Sequence, residues 1–422
     1  MRKERWYPLD NAAKVFPSIS SNDRTTIFRL SMTLTEDINP FLLKEAIELV
    51  LPRFSALNTE IHAGLFWYYL DKNDKKIEVY EETGAISTLI EPKNNNGYLF
   101  KFYYYGKRIA IEVLHSLTDG TGALELLKSV VYTYLHLNGK NISSDGIILT
   151  DDVEERHEEV QDSFIKNYDK ELEVNRKEPK ALQFNGTYYD NHYLSLITGT
   201  ASVDELKALS KKHNATITEF LCACSVLAAS RCRGLFEKKD KPFRVFLPIN
   251  LRRFFPSKTM RNFSLYARTS HDINEEKSFE DIIEIVKTDM KNELVKEKLQ
   301  KRIVGNVKLE KNFFMRIAPL FIKQIAMKVG YKVWGDNANS FAISNLGVVK
   351  LPKSMTEYVK DVVFSNGASI YSCVNLGVVS YNGNIKMSFL SSIIERDFQR
   401  EFFRILTSFG VKVVIDSNEV EV

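Results

Sequence analysis

The sequence predicts an α+β protein made of two sandwich halves, and three observations point there. Its 422 residues exceed what a single hydrophobic core usually supports. Short apolar runs alternate with amphipathic helical stretches on both sides of the midpoint. Between them, 141–180 is poor in strand signals and rich in charge, with Asp151-Asp152-Val153-Glu154-Glu155-Arg156-His157-Glu158-Glu159 as its densest run. That stretch reads as a solvated, partly helical connection, so the halves are set at 1–180 and 181–422.

In the first half, Asn39-Pro40 reads as an N-cap followed by proline at the first helical position, and Leu43, Ala46, Ile47 and Val50 form the apolar stripe of that helix. Two β-rich runs follow at 99–105 and Arg108–Leu114, joined by Gly106-Lys107, a connection suited to a II′ hairpin. Ile109, Ile111 and Val113 alternate with Ala110, Glu112 and Leu114, which predicts a half-buried strand closed by His115. Ala123, Leu124, Leu127, Val131 and Leu135 then recur at helical spacing over Gly120–Leu137, and Asn138-Gly139 ends the helix.

The second half opens with a strand at 193–199 and helices at 203–213 and 217–233, the latter with a capping box from Thr216 to Glu219. Strands are expected at 243–249, 263–267, 341–344, 372–379 and 385–390, and helices at 279–299, 313–329 and 396–409. The 313–329 stretch is apolar with a sparse basic face. A core helix kinked at Pro319 is the expectation; lining a greasy channel or resting on a membrane surface are its other two roles.

The most informative stretch is Leu114-His115-Ser116-Leu117-Thr118-Asp119-Gly120, a histidine at a strand end followed four residues later by an aspartate in a glycine turn. It resembles the HHxxxDG signature of the acyl-coenzyme A-dependent acyltransferase superfamily, which includes chloramphenicol acetyltransferase, condensation domains of peptide synthetases and alcohol acetyltransferases. Leucine stands at the first histidine of the doublet. Further matches are Tyr7-Pro8-Leu9-Asp10, Pro52-Arg53-Phe54, Leu247-Pro248-Ile249-Asn250-Leu251-Arg252, Arg261-Asn262-Phe263 and Ile343-Ser344-Asn345-Leu346-Gly347. The resemblance spans nearly the whole chain and is closest to the alcohol acetyltransferase-like branch. It implies two chloramphenicol acetyltransferase-like halves in a V with a tunnel between them.

It also implies roles. His115 is the catalytic residue: an alcohol or amine attacking a thioester needs a base, and imidazole titrates near neutrality. Asp119 pairs with an arginine from a distant strand, here Arg252, and so supports the site rather than reacting; a solvated face or a coenzyme A phosphate is the other role open to Arg252. Gly120 and Gly122 serve the turn and close approach, the first through access to positive φ. Ser344 and Asn345, with Asn262, are candidates to stabilise the oxyanion, strand-end capping being the alternative. Arg253, Lys258 and Arg261 are candidates to meet coenzyme A phosphates, with solvated surface as the alternative.

The expected reaction moves an acyl group from acyl-coenzyme A to a small alcohol or amine, with no bound cofactor or metal. Two other readings stand beside it: a stand-alone condensation-type enzyme using a carrier protein, and a non-catalytic binding member. Composition excludes other classes. The net charge of +4 is too small to argue nucleic-acid binding, and no basic tract interleaved with aromatics appears. No apolar run is long enough to span a bilayer, and residues 1–8 lack a signal-peptide core, so a cytoplasmic monomer is expected. Cys222, Cys224, Cys232 and Cys373 have neither redox nor zinc spacing. The serines lack a G-x-S-x-G context, which argues against a serine hydrolase.

Overall fold

The computed structural model describes residues 6–170, 172 and 179–418. The first lobe is built on a five-stranded sheet in the order Val359–Ser365, Ile27–Leu34, Arg108–Leu114, Phe100–Tyr105, Val79–Glu81. The hairpin forms as its turn chemistry predicts: Tyr105 faces Arg108, and Gly106 alone of the two loop residues has positive φ, at 50°, the sign pattern of a II′ turn. Arg108–Leu114 is more than half-buried, since Glu112 on its polar face is 1% exposed. An ion pair makes that tolerable, with Arg29 Nη1 donating to Glu112 at 2.9 Å.

Two helices pack against this sheet and each other, and both begin and end where local chemistry dictates. Pro40–Val50 starts on Asn39, whose side chain accepts from the backbone N–H groups of Phe41 and Leu42. Gly120–Leu137 ends in a Schellman turn, with Gly139 at φ 76° and Lys140 N–H donating to Leu135 O at 3.0 Å. Trp6–Pro8, Tyr68–Lys72 and Thr59–Ala63 make a small three-stranded sheet beside the lobe.

The second lobe is a seven-stranded sheet in the order Ser264–His271, Phe243–Asn250, Phe341–Val348, Val374–Tyr381, Asn384–Ser391, Ser195–Ser202, Val414–Ser417. Phe341–Val348 runs parallel to both neighbours and the other pairings are antiparallel. Helices Ile217–Arg231, Phe279–Glu293 and Asp397–Ser408 contribute Phe220, Leu221, Ile283, Val286, Phe398 and Phe402 to its core. The result is a mixed α/β protein of two lobes.

Several features depart from the pattern read in the sequence. Val359–Ser365 crosses back from the second half and pairs antiparallel with Ile27–Leu34 at the edge of the first sheet. The single helix expected at 279–299 is two, Phe279–Glu293 and Lys296–Lys311. Their apolar stripes explain the break: the phase set by Ile282, Val286 and Met290 is about 100° out from that of Leu299, Ile303 and Val307, so one straight helix would face both cores badly. The 141–180 connection is also less solvated than its charge suggests, because its acidic residues reach back to buried partners. Arg53 donates to Glu159 at 2.8 and 3.2 Å, Met260 N–H donates to Glu159 O at 2.7 Å, and Phe164 is fully buried against Phe263. Residues 171 and 173–178 of that connection lie outside the described residues.

Candidate active site

His115 stands where the central strand of the first sheet gives way to the turn before helix Gly120–Leu137. Its N–H donates to Thr26 O at 3.0 Å, and its ring stacks on Phe16 at 5.1 Å and tilts against Phe28 at 4.6 Å. Nδ1 is buried without a hydrogen bond of ordinary geometry. Burial pushes the imidazole pKa below its usual value, opposed by the charge of Asp119 and by polar contacts from Asn262 and Thr118. The ring is therefore neutral at pH 7 and able to accept a proton. Leu114, at the place of the missing first histidine, is 6% exposed and belongs to the apolar core, where leucine fits and an imidazole would need a partner.

Asp119 and Arg252 meet as expected. Arg252 Nη1 lies 2.8 Å from Asp119 Oδ2 and Nη2 lies 3.3 Å from Oδ1, with both side chains nearly buried. The same carboxylate caps helix Gly120–Leu137 by accepting from Thr121 and Gly122 N–H, and takes Phe263 N–H at 2.9 Å. Arg252 spends its remaining donors on Thr259 O and Arg261 O. One ion pair thus fixes the turn after His115 to the loop after strand Phe243–Asn250.

The glycines act through space rather than dihedral freedom. Gly120 does not have positive φ; it is the first residue of the helix, and a side chain there would stand 2.6 Å from Leu346. Gly122 admits the Met260 carbonyl and the Thr118 hydroxyl, which a Cβ would strike, and Thr118 Oγ1 itself donates to Met260 O.

Asn262 belongs to the frame. Its Nδ2 donates to His115 O at 3.0 Å and to Asp10 Oδ2 at 3.1 Å. Asp10, fully buried, also accepts from Ala13 N–H, and burial pushes its carboxyl pKa up. Arg261 is 3% exposed, near Asp10 at 3.9 Å and donating to Pro8 O and Val160 O. Being buried and bound to carbonyls, it is unavailable to a coenzyme A phosphate, which corrects that expectation. Arg253 and Lys258 are exposed; Arg253 reaches toward Gly347, and Lys258 is 3.6 Å from Glu158. Asn345 donates to Thr218 Oγ1 at 3.0 Å and accepts Gly347 N–H at 2.8 Å, so its amide shapes the strand end, while Ser344 beside it is half-buried.

Sequence reasoning gave no role to Asp10, Phe16, Phe28 or Thr118. Only Asp10 carried a signal, as the last residue of Tyr7-Pro8-Leu9-Asp10; the aromatic walls of His115 come from segments whose approach no local pattern encodes. Two surface depressions, lined by residues such as Arg233, Lys239, Asn274 and Phe279 around the far end of strand Ser264–His271, touch none of the site residues. Among the described residues, no group of three or more histidine, cysteine, aspartate or glutamate side chains is placed to hold a metal ion.

The alcohol acetyltransferase family model matches residues 163–409. The chain belongs to that family. No curated protein matches it in sequence. Its fold is similar to the structure of the TRI101 protein of F. sporotrichioides complexed with coenzyme A and T-2, at TM-score 0.64 and 8% identity over 99% of this chain and all (100%) of that one. It is similar also to polyketide synthase associated protein 5 from Mycobacterium tuberculosis, at TM-score 0.58 and 13% identity, covering 95% and 96%. A third likeness is the starter condensation domain of rhizomide synthetase RzmA, in complex with C8-CoA and Leu-SNAC, at TM-score 0.59 and 13% identity, covering 96% and 94%. At such identities the likeness is one of fold.

Proposed function

We propose that this family member transfers an acyl group, acetyl first among the candidates, from a coenzyme A thioester to an alcohol or amine, with His115 as general base. The observation that carries the reading is a neutral imidazole held at a strand end by a frame tied to both lobes. With Nδ1 buried, Nε2 is the nitrogen left to act. It takes the acceptor's proton as the acceptor oxygen or nitrogen attacks the thioester carbonyl; the tetrahedral intermediate collapses, the carbon–sulfur bond breaks, and the departing thiolate recovers that proton from the imidazolium. Ser344 is the candidate donor to the oxyanion, since the Asn345 amide is engaged with Thr218. Arg253 and Lys258 are the basic residues proposed for the coenzyme A phosphates. The frame residues Asp119, Gly120, Arg252 and Asn262 hold the geometry.

The test is thiol release from a panel of acyl-coenzyme A donors offered with pooled alcohols and amines. His115→Ala should fold normally and lose about 10²–10⁴-fold in turnover. A variant that keeps more than about a tenth of wild-type turnover removes His115 from the mechanism. A second reading, a condensation-type enzyme fed by a carrier protein, draws on the fold likeness to condensation domains. Activity with acylated carrier protein and none with any free thioester would favour it.

A further inference from the structure

The stretch expected to be core, 313–329, instead carries a dense run of exposed apolar side chains. It forms two helices, Phe313–Ile317 and Leu320–Trp334, separated at Pro319. Phe314 is 75% exposed, Phe321 and Ile325 63%, and Val329 59%. The second helix is inverted relative to an ordinary surface helix. It turns Lys323 inward, fully buried, with Nζ donating to Phe66 O at 2.8 Å and lying 3.9 Å over the Trp67 ring, while its apolar stripe faces outward. The adjoining loop adds Leu65 at 72% exposure, and Leu320 N–H donates to Leu65 O. An apolar face of this breadth marks an interaction surface.

The charge pattern says what covers it. Between Glu310 and Asp336 there is no acidic residue, whereas Lys311, Arg316, Lys328 and Lys332 are exposed around the stripe. The acids at either end are occupied elsewhere: Glu310 pairs with Lys14, and Asp336 with Arg24. We propose that this face docks onto an anionic lipid bilayer, the apolar stripe entering the headgroup boundary and the flanking cations meeting lipid phosphates. A second copy of the chain fits the charges poorly, because a two-fold contact would set the same cations against one another. The helix also packs against Phe16–Ile19, whose Phe16 ring stacks on His115, so a lipid-bound face would lie one element from the candidate base. The docking proposal stands whether or not the acyl-transfer reading holds.

The test is co-sedimentation of the full chain with vesicles of phosphatidylcholine alone and of phosphatidylcholine with an equal amount of phosphatidylglycerol. Wild type should pellet with the anionic vesicles and be largely released by high salt. The F321S/I325S/V329S variant changes only exposed side chains and should fold as wild type, with binding weakened by at least about tenfold. K328E/K332E, read separately so that the result does not hang on one variant, should lose the preference for phosphatidylglycerol. Wild type remaining in the supernatant, or either variant pelleting like wild type, overturns the proposal. So does a wild-type dimer in sedimentation velocity that F321S/I325S/V329S converts to monomer, since the face would then be covered by a second copy.

Discussion

Replacing Asp119 with alanine probes the site's frame directly, because one carboxylate serves four partners, Thr121, Gly122, Phe263 and Arg252. The substitution removes the helix cap to Thr121 and Gly122, worth about 1 kcal/mol. It also leaves the nearly buried Arg252 guanidinium without its counter-charge, a loss of about 3 kcal/mol or more. A total of about 4 kcal/mol is expected for Asp119→Ala, near the upper end of single-substitution effects. Arg252→Ala should cost less, about 2–3 kcal/mol, because Asp119 keeps three backbone N–H donors. The double variant should therefore be more stable than additivity predicts by about 2 kcal/mol, since it strands neither charge. Asp119→Asn, which keeps the cap but not the charge, should recover about 1 kcal/mol relative to alanine. Urea unfolding of the four variants and wild type at constant m-value reads all of these. Additivity of the single costs to within about 0.5 kcal/mol would refute the coupling and with it the claim that this pair fixes the turn to the second lobe.

Other outcomes are as definite. Because burial holds the His115 pKa below 6.5 and the base must be neutral, kcat/KM should be flat at neutral pH and fall only below pH 6.5; a profile still rising above pH 7 would contradict the assignment. Reversing Arg253 and Lys258 to glutamate should raise KM for acyl-coenzyme A and weaken its salt dependence with kcat at saturation near wild type, and an unchanged KM would discard the phosphate role. Gly122→Ala, whose Cβ meets the Met260 carbonyl, should cost about 1–3 kcal/mol in thermal or urea unfolding, and an unchanged melting temperature would show that the two loops separate freely.

The local elements were legible because their signals are local. The Asn39 cap, the Gly106-Lys107 turn, helix Gly120–Leu137 with its Asn138-Gly139 stop and the Thr216–Glu219 capping box form as read. The Asp119–Arg252 pair was also foreseen, through the resemblance rather than from spacing. What stayed hidden depends on contacts between distant segments. Arg261 looks like any exposed arginine until Pro8 and Asp10 are seen to close over it. The 313–329 pattern is equally good for a core helix, and only the burial of Lys323 shows which side faces in. Val359–Ser365 was not expected as a strand at all, and its pairing with Ile27–Leu34 joins segments more than 300 residues apart.

That returning strand has a consequence for biosynthesis. Ile27–Leu34 leaves the ribosome early, but the partner for its outer edge is encoded near the other end of the chain. At about 5–20 residues per second, the edge stands unpaired for roughly tens of seconds during each round of translation. Over that interval its free N–H and C=O groups are a template for the same strand on a neighbouring nascent chain, and the strand's apolar residues Ile27, Phe28, Leu30 and Met32 add to the hazard. The yield of folded protein should therefore depend on chaperone capacity and on translation speed across the second lobe, and aggregation during synthesis should begin at the first sheet rather than at the larger one.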